Sequence, residues 1–223
     1  MINKIIILFK IARKIGSSNI IEIVDRAHKV PFFIKLFFNL VSLSFAKSQK
    51  KISDKNDLSS TIQDLGTTFI KLGQFLATRP DIIGEELTKN LEKLQDKLPP
   101  FSKFLAENII KTELGGLTAK NIIEFSEPIA AASIAQVHKA KINEGNTIKD
   151  VAIKVLRPNI KETFNSEIDA IMMLAYLIEV LIPKTKRLKL IEVVFLFKEI
   201  TNHEMDLRFE AAAANEYLEN TKN

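Results

Sequence analysis

The stretch formed by residues 129–155 restricts the fold of this chain more than any other part of the sequence. Small or branched residues occupy the glycine and valine positions of the loop pattern G-x-G-x-x-G-x-V: Ala130, Ala132, Ala135 and Val137. Residues 143–146 (N-E-G-N) favour a hairpin turn, and residues 151–154 (V-A-I-K) favour a strand that ends on a lysine. This order of loop, hairpin and lysine-bearing strand predicts an antiparallel sheet with a loop suited to phosphate groups.

The chemistry of such a loop depends on a close approach of the backbone. Small residues let backbone N–H groups come near a polyphosphate, and Lys154 would supply a cation from the neighbouring strand. A Cβ atom disfavours positive φ, so we expect an alanine loop to be stiffer than a glycine loop and to stand further from the phosphates. The alternative is an ordinary β-hairpin with a buried alanine cluster.

Composition allows a folded core and argues against some classes of site. The 223 residues are enough for one domain or a domain with an extension, and 46% of them are hydrophobic. The chain has 0 cysteines, which excludes disulfides and thiolate metal sites. The histidines are too scattered to indicate a metal site, and each is expected to be structural: His28, His138 and His203.

Positive charge is concentrated at the N-terminus. Residues 1–51 contain ten Lys and Arg but only Glu22 and Asp25 as acidic residues, which gives this segment a charge of +8. The whole chain carries +5, so the remaining residues carry −3. The apolar spacing within residues 1–51 predicts two amphipathic helices, with breaks near residues 16–18 and Pro31. An anionic partner, either a membrane or a nucleic acid, is therefore expected near the N-terminus.

A basic amphipathic helix is typical of segments that bind a membrane surface or a partner. The alternative is that these helices pack on the domain and expose a solvated basic face. Nucleic acid is not expected, because no DNA-reading motif or aromatic-interleaved basic groove occurs. The longest mostly apolar run without charge, residues 36–46, has eleven residues against about 20 for a transmembrane helix, so none is expected. Lys10 interrupts the first apolar run, which argues against a signal peptide.

The next part of the chain reads as a linker followed by a long helical region. Residues 47–57 are polar, and residues 58–76 repeat apolar side chains three or four apart. Lys71 and Gln74 would share one polar face of the helix, and simple solvent exposure is the alternative to a function there. Gly73 costs about 1 kcal/mol relative to alanine in mid-helix, so we expect a reason such as close backbone approach.

Proline and glycine predict further boundaries. Residues 78–81 (T-R-P-D) should break the helix, and residues 82–97 resume helical spacing. Another helix is expected over residues 103–113, with Ser102 as its N-cap and residues 115–116 (G-G) as its end.

The C-terminal half combines the sheet with two more helices. A first strand is expected to begin at residues 122–125, and the lysine-bearing strand should end at residues 157–158 (R-P). Helices are expected over residues 160–182 and 190–218. The fold class is therefore α+β, with a small antiparallel sheet around residues 121–156. The last helix contains Glu204, Asp206 and Glu210 among its acidic residues, and the second and third of these, four apart, should share one face.

Four sequence blocks together resemble the UbiB family of atypical, kinase-like proteins. The resemblance covers residues 65–215, and the first 60 residues match only in general character. It implies a protein-kinase-like N-lobe preceded by a helical extension that carries a K-x-G-Q helix. The blocks are F-I-K-L-G-Q with T-R-P-D and L-Q-D-K (69–97), A-A-A-S-I-A-Q-V-H (130–138), V-A-I-K-V-L-R-P (151–158) and E-M-D-L-R-F-E-A (204–211). The expected domains are a basic amphipathic helical segment (1–57), the extension (58–116) and an incomplete kinase N-lobe (117–223).

The resemblance implies roles for residues outside the loop. Lys71 and Gln74 match the K-x-G-Q residues, which in the family lie over the nucleotide pocket and block access of protein substrates. Glu204 and Asp206 match the E-x-D motif, which meets that lysine. Without the family, a solvated acidic face would be the default interpretation of the two carboxylates.

The resemblance also implies a nucleotide site. Lys154 matches the phosphate-anchoring lysine, and Glu210 matches the helix glutamate that pairs with it. Their separation of 56 residues exceeds that in ordinary kinases, and an insert at residues 160–189 can account for it. The loop residues expected to bind ATP or ADP together with the lysine are Ile129, Ala130, Ala131, Ala132, Ser133, Ile134, Ala135, Gln136 and Val137.

Bacterial members of the family support ubiquinone biosynthesis at the inner membrane. The resemblance therefore implies an ATPase or small-molecule kinase that acts on, or extracts, lipid quinone intermediates. The expected location is the cytoplasmic face of the inner membrane, as a peripheral protein, or the cytoplasm.

The sequence departs from a complete kinase near its end. A kinase needs a catalytic-loop Asp and Asn and a second Asp for Mg²⁺, and the last aspartate here is Asp206. We therefore expect a truncated or split family member, for which Mg²⁺ would need the missing C-lobe and catalysis by this chain alone is not expected. Two hypotheses stay open. A C-lobe, supplied by a separate chain or by a longer form of this one, completes the enzyme, or the chain is a non-catalytic remnant or membrane-associated binding module.

Overall fold

The computed structural model describes residues 2–16, 20–27, 32, 35, 36, 39, 58–94, 98–145 and 147–221. The chain divides into two compact units. The helical unit comprises residues 1–95 and 163–201, and the sheet unit comprises residues 96–162 and 202–223. The predicted linker, and most of the second predicted N-terminal helix, lie outside the described residues.

The described elements confirm the α+β class. They are, in chain order, α1 (Ile2–Gly16), α2 (Ile20–Ala27), α3 (Leu58–Leu65), α4 (Thr67–Ala77), α5 (Pro80–Ile83), α6 (Glu85–Leu91), α7 (Lys103–Leu114), α8 (Gly116–Ala119), β1 (Ile122–Ala131), β2 (Ala135–Glu144), β3 (Thr147–Leu156), α9 (Ile160–Leu181), a 3₁₀ helix (Pro183–Leu188), α10 (Leu190–Glu204) and α11 (Leu207–Asn220).

The sheet unit is built on an antiparallel sheet of order β1-β2-β3. Gly145, with φ 66°, lies in the short turn between β2 and β3, as the hairpin signal predicted. Helix α7 covers one face of the sheet, where Ala106, Ile110 and Val155 form a buried cluster. The hydroxyl of Ser102 accepts a hydrogen bond from the backbone N–H of Leu105 at 3.4 Å, so the predicted N-cap is confirmed.

The helical unit has its own core. Four leucines from α3, from α6 and from the turn after it form one buried cluster: Leu58, Leu87, Leu91 and Leu94. Helices α9 and α10 form an antiparallel hairpin in which the Phe164 and Phe197 rings meet edge-to-face at 5.6 Å. Phe75 of α4 contacts Phe197, with the ring centroids 5.5 Å apart. None of the helices in the described part of the chain combines the length and apolarity that a bilayer-crossing segment requires.

The structure corrects three predicted helices. The helix expected over residues 58–76 is divided by Gly66, whose φ of 114° does not fit an α-helix. The helix expected over residues 82–97 is divided by Gly84 (φ 82°), and α6 already ends at Leu91. The helix expected over residues 190–218 is interrupted at Met205 and Asp206, because the aspartate acts as the N-cap of α11.

Candidate functional site

The predicted loop is shorter than the sequence suggests. Strand β1 extends to Ala131 and β2 begins at Ala135, so most of residues 129–137 lie in strands rather than in a loop. The backbone N–H of Ala132 donates to the carbonyl of Ala135 at 2.8 Å and closes the turn. Among the described non-glycine residues, positive φ occurs only at Asn159 and Lys189. The alanines therefore adopt backbone conformations that do not require glycine.

Arg157 fixes this turn from the end of β3. Its guanidinium donates two hydrogen bonds to the carbonyl of Ala132, from Nε at 3.1 Å and from Nη2 at 2.8 Å. Its backbone N–H donates to the carbonyl of Ile134 at 2.9 Å. The sequence pattern predicts only that the strand ends at Arg157. The contact of Arg157 with Ala132, 25 positions earlier, could not be predicted, because no nearby residues indicate it.

A buried polar network supports β2 on the face that packs against α7. The Gln136 side chain is fully buried, accepts from the backbone N–H of Phe101 at 2.9 Å and donates to its carbonyl at 3.1 Å. The His138 Nδ1 lies 2.9 Å from the carbonyl of Ser126, which can only accept, so Nδ1 carries the proton. His138 Nε2 then accepts from Gln136 Nε2 at 2.8 Å.

This network involves one residue of the predicted nucleotide loop. The side chain of Gln136 bonds the backbone of Phe101 and the ring of His138, and the expected contact of this residue with a nucleotide stays a prediction. Ser133 and Ile134 are buried as well, whereas Ile129 and Ala130 are exposed.

The opposite face of the sheet carries small side chains beside a lysine. Val137 on β2 is paired with Ala130 on β1 and with Lys154 on β3. Ala152 lies two residues before Lys154, so it projects to the same face. Ala130 and Ala152 are exposed, and Val137 is half-buried. This set defines the open face of the sheet: Ala130, Val137, Ala152 and Lys154.

Lys154 forms the predicted ion pair at the edge of the open face. Its Nζ donates to Oε2 of Glu210 at 2.6 Å, and the two side chains are 35% and 59% exposed. Glu210 lies in the first turn of α11. Residues 163–201, which intervene in the sequence, belong to the helical unit. That insertion explains the long separation of the two partners.

The E-x-D pair lies just before α11. Glu204 ends α10 and is exposed, whereas Asp206 caps α11 by accepting from the backbone N–H of Arg208. The Arg208 guanidinium donates to both carboxylate oxygens of Asp206, and this contact lowers the pKa of Asp206 from 3.8 to about 2. The spacing of Asp206 and Glu210 predicted that they share one helix face. This prediction is wrong, because Asp206 precedes α11 as its N-cap.

The K-x-G-Q residues lie on α4 of the helical unit. Lys71 and Gln74 are both half-buried. A Cβ atom added at Gly73 would lie 2.4 Å from Cδ1 of Leu94, so the glycine admits that leucine into the core. This contact is the close approach that the mid-helix glycine predicted. The expected meeting of Lys71 with the E-x-D pair stays a prediction.

A separate hollow of about 570 Å³ lies toward the hairpin end of the sheet. Lys141 there donates to Glu124 at 2.9 Å, which raises the pKa of the lysine. The hollow contains neither Lys154 nor the alanine turn; its lining residues are Glu124, Phe125, Ser126, Lys139, Ala140, Lys141 and Asp150. Within the described ranges, no group of three or more His, Asp or Glu is placed to hold a metal ion.

Known proteins are similar to this chain along most of its length. A family model of the ABC1 atypical kinase-like domain matches residues 93–223. A Marinobacter nauticus protein named "Probable protein kinase UbiB" is 35% identical over 196 residues, which are 87% of this chain and 35% of that protein. Proteins of the same name from Pseudomonas aeruginosa (33% over 215 residues; 96% and 40%) and Shewanella frigidimarina (36% over 189 residues; 84% and 34%) are also similar. The chain thus spans two fifths or less of the length of these relatives.

Proposed function

The chain belongs to the UbiB family of ABC1 atypical kinase-like proteins, and on that premise we propose that its sheet unit binds ATP or ADP on the open face of the sheet. The observation that carries the proposal is the Lys154–Glu210 ion pair beside that face. In kinases, the equivalent pair holds the lysine where it can contact nucleotide phosphates. The small side chains of Ala130 and Ala152 leave the face accessible to a flat base.

The proposed activity is that of a UbiB-like kinase or ATPase that supports ubiquinone biosynthesis. ATP would supply the transferable phosphoryl group, and Lys154 would orient its phosphates. Asp206 is the last aspartate of this sequence, so the residues that hold Mg²⁺ in kinases would come from additional chain or a separate C-lobe polypeptide. We expect the 223 residues by themselves to bind nucleotide without turning it over.

Nucleotide binding by the 223-residue chain tests this proposal directly. Titration with ADP and with a fluorescent ATP analogue should give saturable binding that Lys154→Ala weakens at least about tenfold. Lys149→Ala is the matched control, because Lys149 also lies on β3 and pairs with a glutamate, Glu144, at 2.5 Å. Equal affinities for the two variants, or no binding by the unsubstituted chain, would remove the proposal.

A second candidate function is peripheral association with an anionic membrane at the cytoplasmic face. Helix α1 favours it, since Ile6 and Phe9 are 48% and 42% exposed and Lys10 and Arg13 are exposed beside them. The membrane would also be the source of lipid quinone intermediates. Flotation with phosphatidylglycerol-containing vesicles should decline when Ile6→Glu and Phe9→Glu are combined, and unchanged flotation would argue against a role for α1.

A further inference from the structure

Helices α9 and α10 expose large apolar side chains near the end where they are joined. Tyr176 and Leu181 are 57% and 64% exposed on α9, and Phe195 is 57% exposed on α10. We call residues 176–196 the hairpin tip. Its exposed apolar residues are Tyr176, Leu177, Val180, Leu181, Phe195 and Leu196.

These residues do not belong to the face that builds the core. On α9 the core face carries Phe164, Ile168 and Ala175, all buried, and on α10 it carries Phe197. The exposed apolar residues occupy the faces of the same helices that a water-exposed hairpin would fill with polar groups. Six exposed large apolar side chains on two consecutive helices indicate a site of interaction.

The hairpin tip is held in place by its own hydrogen bonds. The backbone N–H of Ile191, at the start of α10, donates to the Glu179 carboxylate of α9 at 3.2 Å. The Thr185 hydroxyl donates to the carbonyl of Ile182 at 2.7 Å and so ties the 3₁₀ helix to the end of α9. The exposed side chains are therefore presented by a preformed turn, and binding would need little ordering.

The charge of the turn identifies the chemistry of the partner. Residues 180–191 contain four basic and no acidic residues, and all four are exposed: Lys184, Lys186, Arg187 and Lys189. Lys189, which directly precedes α10, also contacts Glu192 in the first turn of that helix at 3.0 Å. Exposed apolar side chains on either side of a basic turn match the interface of an anionic bilayer, where acyl chains lie just below negative headgroups. Tyr176 adds an aromatic ring with a polar end, which suits the same depth.

We propose that the hairpin tip inserts Val180, Leu181 and their apolar neighbours into the interface of an anionic phospholipid membrane, while its basic residues bind the headgroups. The inference rests on the proposed membrane association and adds a contact to that of α1. It does not depend on the nucleotide site.

Vesicle flotation of the 223-residue chain tests the apolar part. With phosphatidylcholine vesicles that contain about one third phosphatidylglycerol, Val180→Glu with Leu181→Glu should lower the partition coefficient roughly tenfold. Ile123→Glu with Ile148→Glu is the control, because it adds the same charge at two exposed isoleucines of the sheet, which are 48% and 64% exposed, and should leave binding unchanged. Equal binding of the double variant and the unsubstituted chain would overturn the inference. Circular dichroism verifies that each variant is folded.

Charge reversal tests the basic part. Lys184→Glu with Arg187→Glu should lower binding to the anionic vesicles several-fold and weaken its dependence on phosphatidylglycerol. Lys111→Glu with Lys120→Glu changes the net charge equally at exposed positions of the sheet unit and should bind as before. If both charge variants bind equally, the hairpin tip is not the site. If the hairpin-tip variants bind the vesicles normally and the α1 variants do not, the inference about the hairpin tip is wrong and the proposed membrane association stands. If the unsubstituted chain does not bind the vesicles, both the inference and the proposed membrane association are wrong.

Discussion

Lys154 and Glu210, 56 residues apart in the sequence, form an ion pair with Nζ 2.6 Å from Oε2. The pair connects β3 to the first turn of α11 within the sheet unit, and the chain between them includes residues assigned to the helical unit. The Glu210 carboxylate thereby holds the Lys154 amine at the edge of the open face, although the insertion separates the two residues in the sequence.

Replacing the acidic partner should affect binding more than folding. Glu210→Gln removes the charge that positions Lys154, so we expect ADP affinity to fall several-fold. The side chains are 35% and 59% exposed, so the free energy of unfolding should change by less than about 1 kcal/mol. Fluorescence titration and urea unfolding measure the two effects, with Glu216→Gln as a control at an exposed position further along α11. A large loss of stability with unchanged affinity would assign the pair a purely structural role.

Added volume on the open face should exclude a nucleotide. Ala152 is exposed two residues before Lys154, so Ala152→Leu would place a branched side chain where a base would lie. We expect at least about a tenfold loss of ADP affinity, with stability changed by no more than about 0.5 kcal/mol. Isothermal titration calorimetry and thermal unfolding provide the measurements. Ala211→Leu, at an exposed position of α11, controls for added bulk, and equal ADP affinity for the two variants would place the nucleotide elsewhere.

Features with a local signal could be predicted from the sequence. The turn at Gly145, the Ser102 cap and the strand carrying Lys154 each depend on a few adjacent residues. Features that depend on distant contacts could not. The hydrogen bonds from Arg157 to Ala132 and from Gln136 to Phe101 join residues 25 and 35 positions apart. An arginine or a glutamine can donate to many carbonyl groups, so the sequence does not indicate which one it bonds.

The three predictions of uninterrupted helices failed for a different reason. Apolar spacing continues through Gly66 and Gly84, so periodicity alone extends the helix, whereas the positive φ at each glycine ends it. At Asp206 the competing principle is capping, because an aspartate can end one helix and begin the next without changing the apolar pattern.

Gly73 should resist substitution because of one side chain. An alanine there gains about 1 kcal/mol of helix propensity, but its Cβ would lie 2.4 Å from Cδ1 of Leu94, whose displacement in a packed core costs about 1–3 kcal/mol. We expect Gly73→Ala to destabilise the chain by roughly 1 kcal/mol. In a Leu94→Val background, which lacks the δ carbons, the same substitution should be neutral or stabilising.

Chemical denaturation of this double-mutant cycle provides the measurement. Gly116→Ala is the control, because its Cβ would meet no atom within 4 Å. Equal effects of Gly73→Ala in both backgrounds would contradict the role assigned to Leu94.

Removal of the buried amide should be the most damaging of these changes. Gln136→Met keeps the length of the side chain but leaves the backbone N–H and carbonyl of Phe101 and Nε2 of His138 without that partner. We expect a loss of about 2–4 kcal/mol in the free energy of unfolding. Lys139→Met, at an exposed position of the same strand, should change it by less than about 0.5 kcal/mol. Urea unfolding of both variants decides the matter, and similar midpoints would show that the network adds little.

The pH dependence of stability should report the charge of Asp206. Its pKa in the folded chain is about 2 against an ordinary 3.8, mainly because the Arg208 side chain donates to the carboxylate. A lowered pKa means that the charge stabilises the fold fully above pH 3.8 and that this contribution is lost as the pH falls through 2.

Asp206→Asn keeps a capping side chain and removes only the charge. The unsubstituted chain should therefore be more stable than Asp206→Asn at pH 5, and the difference should shrink towards zero as the pH approaches 2. Thermal unfolding across this pH range measures it, and Asp150→Asn, on β3, shows how much any exposed carboxylate contributes. A difference that stays constant with pH, or grows as the pH falls, would mean that the Asp206 charge does not stabilise the start of α11.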